Sequence, residues 1–143
     1  MEALDLPRVR RAAGTLKLPG SKSISNRTLL LAALAHGATT LNGLLESDDT
    51  RVMRDALEAL GVRIETLGSA ERVRVHGLGS VRGFPAKRAE IFLGNSGTSA
   101  RSLAGVLAMA DGHYVLRGVP RMHERPIGDL VEALRPAGAR IEW

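Results

Sequence analysis

The chain has 143 residues, 44% of them apolar, and 20 Lys and Arg against 15 Asp and Glu leave a formal net charge of +5. That length makes about one domain with a real core, and no apolar run approaches the roughly 20 residues of a membrane-spanning helix. The absence of cysteine excludes disulfides and thiolate metal sites and fits a cytoplasmic setting. The basic balance calls for anionic partners, but Phe84, Phe92, Tyr114 and Trp143 are too few and too scattered to stack nucleic-acid bases. Small anionic substrates account for the charge better.

In chain order, residues 1–13 leave room for a short strand and carry Arg8, Arg10 and Arg11. Residues 15–18 read as a strand, broken by Pro19-Gly20. The turn Leu18-Pro19-Gly20-Ser21-Lys22-Ser23-Ile24-Ser25-Asn26-Arg27 leads into a helix over about 23–35, rich in Leu and Ala. Ser21, Ser23 or Ser25 can cap that helix, which leaves free N–H groups and a positive dipole end beside Lys22 and Arg27. A phosphorylated small molecule is the natural guest. Such turns are as often plain caps, and a Walker A loop is excluded, since Gly14 stands one residue too far from Gly20.

His36-Gly37 reads as the helix stop, and residues 38–42 as a strand. Ser47-Asp48-Asp49 opens a second helix over 50–60, with Met53, Ala56, Leu57 and Leu60 at helical spacing and Gly61 at its end. Residues 62–65 and 72–75 alternate as hairpin partners, so the unit reads β-α-β-α-β-β. Met53 and Met109 read as core fillers, and His36, His76, His113 and His123 lack metal spacing.

The second half repeats the first. Gly94-Asn95-Ser96-Gly97-Thr98-Ser99-Ala100-Arg101 falls under Gly20 to Arg27, Leu103 under Leu29, and Gly138-Ala139-Arg140-Ile141-Glu142 under Gly61-Val62-Arg63-Ile64-Glu65. Ordered matches of this kind mark a duplicated supersecondary unit. The second copy stops before a counterpart of residues 72–75, which suggests a piece of something longer. In the second turn, two glycines let a ligand approach bare N–H groups, Thr98 or Ser99 can cap the next helix, and Arg101 adds charge. In Pro120-Arg121-Met122-His123-Glu124-Arg125-Pro126, Pro126 suits a helix start, leaving Arg125 on the approach loop to grip a phosphate or carboxylate.

The three turns together resemble the signatures of the 5-enolpyruvylshikimate-3-phosphate synthase family, as does Leu44-Leu45-Glu46-Ser47-Asp48-Asp49-Thr50. The likeness runs from about Gly14 to Trp143 and matches only the N-terminal part of family members. It implies an incomplete portion of the enolpyruvyl transferase fold, an inside-out α/β barrel. Residues 1–19 would belong with a second domain, 20–92 would form the first unit and 93–143 a truncated second.

The resemblance also implies transfer of an enolpyruvyl group from phosphoenolpyruvate to the 5-hydroxyl of shikimate 3-phosphate, with release of phosphate and without metal or organic cofactor. By that likeness Lys22 touches both substrates and serves catalysis. Ser23 and Arg27 hold shikimate 3-phosphate, while Asn95, Gly97 and Arg125 hold phosphoenolpyruvate. Thr98 and Arg101 support that loop from behind, and Asp49 lies near the cleft. The acid–base Asp and Lys of the family come from its C-terminal part, so the remainder of the enzyme is an expected partner and the chain alone is expected to be inactive. Neither nucleic acid nor membrane is expected, and the full-length enzyme is expected to be a cytoplasmic monomer. Many members carry Pro where Ser102 stands, a departure expected to shift Gly97 and alter tolerance of glyphosate, a phosphoenolpyruvate mimic. Two rivals remain. The sister enzyme acting on a UDP-amino sugar usually shows Gly-Ala-Lys-Asn and a cysteine; the other is a non-catalytic anion-binding half-protein.

Overall fold

Two α/β units share one apolar core in the computed structural model, which describes residues 3–5 and 8–143. Helix α1 (Lys22–Leu34) follows from its Leu and Ala content and from Ser21, whose Oγ accepts the Ile24 N–H. Ala35 is already extended, so His36 and Gly37, expected to stop the helix, open strand β1 (His36–Asn42) instead. Helix α2 (Asp48–Ala59) starts two residues before its expected span, because Ser47 and Thr50 cap it reciprocally. Met53, Ala56, Leu57 and Leu60 form its buried face, as their spacing predicts.

Strands β2 (Arg63–Leu67) and β3 (Ser69–Leu78) make the expected hairpin, longer than its alternating residues suggested. Both β1 and β2 pair antiparallel with β3, in the order β1-β3-β2. Val73 and Val75 point inward from the central strand and are fully buried. The second unit holds β4 (Arg88–Phe92), α3 (Gly97–Leu107), β5 (His113–Arg117), α4 (Pro120–His123), α5 (Gly128–Leu134) and a 3-10 turn over Arg135–Ala137. Strands β4 and β5 run parallel with α3 as the crossover. Residues 88–92, which the division at residue 92 put with the first unit, therefore hydrogen-bond within the second.

The repeat survives in three dimensions. Ser25, Leu29 and Ala33 of α1 are buried, and so are Ser99, Leu103 and Leu107 of α3 at the same offset. Gly61 and Gly138, which end the corresponding helical stretches, take φ of 90° and 98°, a region that glycine enters at no steric cost. The core joins both copies through Leu29, Met53, Leu57, Val75, Ile91 and Leu103. Beside it, a groove of about 970 Å³ opens between α3, β5 and α5 and reaches Ile141 and Trp143.

Two expectations fail. Residues 15–18 form no strand, and Leu16 and Leu18 stand 86% and 79% exposed. A strand needs a neighbour for its N–H and C=O groups, and none of the described residues pairs with this segment. The first unit therefore reads α-β-α-β-β. Residues 138–142, which echo the start of β2, are irregular for the same reason. Met109 lies past the end of α3 and is 55% exposed, unlike the fully buried Met53. The short strand allowed for in residues 1–13 falls partly on residues 1, 2, 6 and 7, outside the described residues; residues 3–5 and 8–13 are in no strand. No helix among the described residues is long and apolar enough to cross a membrane.

Candidate anion-binding site

Helices α1 and α3 meet within their first two turns, where Asn26 Nδ2 donates to Ser99 Oγ at 3.3 Å. Neither helix has an acidic residue in its first turn, so the free N–H groups and positive dipole ends have no internal counter-charge. Helix α2 differs, with Asp48 and Asp49 at that position. Helix starts of this kind attract anions.

Lys22 is the first residue of α1, half-exposed, with its Nζ 3.3 Å from Asp49 Oδ2. The pair leaves Lys22 oriented but still open to solvent. Ser23 is half-buried and Arg27 exposed; four residues apart, they share one face of the helix. Arg27 makes no ion pair among the described residues. Gly20 lies so close to the loop before α2 that a Cβ would stand 2.8 Å from Leu45 N and closer still to Gly43 O. Ser25 Oγ accepts the Leu45 N–H at 2.9 Å. These contacts fasten the loop before α2, which leads to Asp49, to the Lys22 helix.

In the second turn, Ser96 caps α3, its Oγ accepting the Ser99 N–H at 3.4 Å. Thr98 and Ser99, the expected caps, already lie inside the helix. A capping residue must stand outside the helix with non-helical φ and ψ, and Ser96 does. Gly97 follows as the first helical residue and is buried. A Cβ there would stand 2.5 Å from Arg125 Nη1 and 3.0 Å from Arg101 Nη1, so two guanidinium groups cover its bare Cα.

Arg101 Nη2 donates to Pro126 O at 2.7 Å and Nη1 to Gly97 O at 3.4 Å, which lashes α3 to the loop carrying Arg125. Arg121 and Glu124 pair with one another, and Arg125 has no carboxylate partner among the described residues. Asn95 is exposed at the mouth of the turn. Thr98 is half-buried, and its carbonyl accepts Ser102 Oγ at 2.8 Å. The fold thus gathers Lys22 with Asp49, and Gly97 with Arg101 and Arg125.

Sequence reasoning missed the buried polar set between the two turns. Asn26, Ser96 and Ser99 are at most 3% exposed, and Ser96 Oγ lies 2.7 Å from Ser99 Oγ. A signal was present. Asn26 stands three, four and seven residues before Leu29, Leu30 and Ala33, on the apolar stripe of α1, where an amide is out of place. Among the described residues, no group of three His, Cys, Asp or Glu is placed to hold a metal ion.

The family model for EPSP synthase (3-phosphoshikimate 1-carboxyvinyltransferase) matches residues 7–143. Over all 143 residues the chain is 61% identical to the 3-phosphoshikimate 1-carboxyvinyltransferase of Ralstonia nicotianae, of which it covers 32%. It is 60% identical to that of Thiobacillus denitrificans, also over all of this chain and over 33% of the relative. Among solved structures, an EPSP synthase from Acinetobacter baumannii superposes with a TM-score of 0.82 at 34% identity, covering 90% of this chain and 28% of that one. The chain spans about a third of the length of the curated relatives it matches.

Proposed function

The chain belongs to the EPSP synthase family, and from that premise we propose that it builds one wall of the substrate site of a 3-phosphoshikimate 1-carboxyvinyltransferase. The reaction moves the enolpyruvyl group of phosphoenolpyruvate onto the 5-hydroxyl of shikimate 3-phosphate and releases phosphate. In this reading Ser23 and Arg27 hold the phosphate and carboxylate side of shikimate 3-phosphate. The backbone at Asn95 and Gly97, with Arg125, holds phosphoenolpyruvate. Lys22, oriented by Asp49, lies between the two anions and screens their mutual repulsion. Thr98 and Arg101 hold the second turn in shape.

The observation that carries the reading is Arg125, which has no carboxylate partner among the described residues and lies over the bare Cα of Gly97 at the start of α3. A guanidinium beside the start of a helix favours a phosphate or carboxylate. Turnover also needs proton transfer to the phosphoenolpyruvate methylene carbon and from the acceptor hydroxyl. Asp49, the carboxylate beside Lys22, is engaged by that lysine, so we assign the acid and base to residues beyond these 143. The whole enzyme would be a cytoplasmic monomer that needs no cofactor.

Calorimetric titration of the chain tests this. Shikimate 3-phosphate should bind weakly, and Lys22→Ala and Arg27→Ala should each weaken it by about 1.5–3 kcal/mol, the range for charge-assisted contacts. Arg125→Ala should weaken phosphoenolpyruvate and leave shikimate 3-phosphate almost unchanged. No phosphate should be released from the two substrates together. Unchanged binding in all three variants would sink the assignment, and robust phosphate release would refute the division of labour.

A further inference from the structure

We propose that Asn26, Ser99 and Ser96 form a positioning relay that couples the two anion-binding turns, so that an anion held at one raises the affinity of the other. The inference rests on the substrate assignment above and adds the residues that make the two half-sites act together. Asn26 directly precedes Arg27, and Ser96 lies between Asn95 and Gly97. Among the described residues, the Asn26–Ser99 bond is the one side-chain hydrogen bond joining α1 to α3.

Ser96 Oγ already accepts the Ser99 N–H at 3.4 Å, and Ser99 Oγ accepts from Asn26 Nδ2 at 3.3 Å. The Ser96 and Ser99 hydroxyls share a hydrogen bond of 2.7 Å, in which either can donate. Each member orients the next, from the amide beside Arg27 to the cap of α3. A tilt of α1 as it closes on an anion is therefore felt at the Ser96 cap, which sets the N–H groups at the start of α3.

The relay is not what a stable interior would select. Asn26 is fully buried, yet its Oδ1 has no partner among the described residues; exchanging the amide atoms would only orphan the nitrogen instead. An unpaired buried polar atom costs stability, and an apolar residue would fill the stripe between α1 and α3 at no such cost. Three hydroxyl or amide groups at this junction make sense as a directional link between the turns, where an apolar contact could slide.

Coupling is measurable on the chain as it stands. The dissociation constants of shikimate 3-phosphate and of phosphoenolpyruvate would each be measured alone and with the other saturating. The ratio should exceed about fivefold, the lower end of ordinary coupling, and be equal in both directions. Ser99→Ala, and the apolar pair Asn26→Leu with Ser99→Ala, should bring the ratio close to one while each separate constant changes less than about threefold. Removing both partners together keeps the junction packed without orphaned groups. Ser99→Thr, which keeps the hydroxyl, should retain the coupling. Separate binding without coupling in the unchanged chain overturns the relay and leaves the substrate assignment standing. Coupling that survives the paired variant, or a loss of both separate affinities with the ratio intact, overturns it as well. If neither ligand binds, the assignment falls and the relay with it.

Discussion

Replacing Gly97 with alanine separates what the second turn does for the fold from what it does for an anion. The new Cβ would lie 2.5 Å from Arg125 Nη1 and 3.0 Å from Arg101 Nη1, where ordinary contact begins near 3.4 Å. Both neighbours are tips of flexible side chains, and Gly97 is helical without a positive φ. The backbone accepts the methyl, and the Arg125 guanidinium retreats by about 1 Å. Alanine also favours helix over glycine by up to about 1 kcal/mol in a helix interior, and by less at a first position. Stability should therefore stay level or rise slightly. Binding should suffer, because a displaced guanidinium loses charge-assisted contacts worth about 1.5–3 kcal/mol. We expect Gly97→Ala to weaken phosphoenolpyruvate about 10- to 100-fold and shikimate 3-phosphate less than about threefold, read by titration alongside a urea unfolding curve. A stability loss above about 2 kcal/mol, beyond what this contact explains, would refute the reasoning. So would equal weakening of both ligands.

Leu57→Ala should remove a fully buried side chain in the last turn of α2 and cost about 2–5 kcal/mol; a fall below about 1 kcal/mol in urea unfolding would mean that the core is not joined as described. Glu65 supplies a pH dependence. Desolvation pushes its carboxyl up, but the Arg63 guanidinium, then His76, pulls it down further, and the net shift is below the usual carboxylate value. His76 Nε2 lies 3.2 Å from Glu65 Oε1 without hydrogen-bonding geometry. A depressed folded-state value means stabilisation that is present above the unfolded value and lost as pH falls through the folded one. The melting temperatures of the native chain and Glu65→Gln should differ most near neutral pH and converge in acid. A gap that widens in acid would reverse the sign.

The helices were legible because their signals are local. The periodicity of Met53, Ala56, Leu57 and Leu60, and the serines ahead of α1, α2 and α3, survive without knowledge of the rest of the fold. Strands were legible only where a partner lies within the chain. Residues 72–75 found β1 and β2, whereas residues 15–18, equally strand-like in sequence, found nothing. Of the site, the charged residues could be picked out as types but not as pairs. That Asp49 holds Lys22, and that Arg101 lashes Pro126, depends on loops brought together by the core. Asn26 was passed over because a polar residue next to Arg27 reads as more of the same turn. Only its burial on the apolar stripe sets it apart.

The central strand β3 has a consequence for motion as well as for architecture. It locks the first unit from both sides, while in the second unit β5 is bonded to β4 alone. From Asp111 to Trp143, Val131 is the one buried residue. Amide protons should therefore exchange most slowly along β3 and the inner turns of α1 and α2, and fastest beyond residue 111, since local opening follows buried contacts. Lys22, Ser23 and Arg27 stand on the firm half and Arg125 on the soft one. An anion gripping both would do more than fill a site, because it would lend the rigidity of the first half to the second.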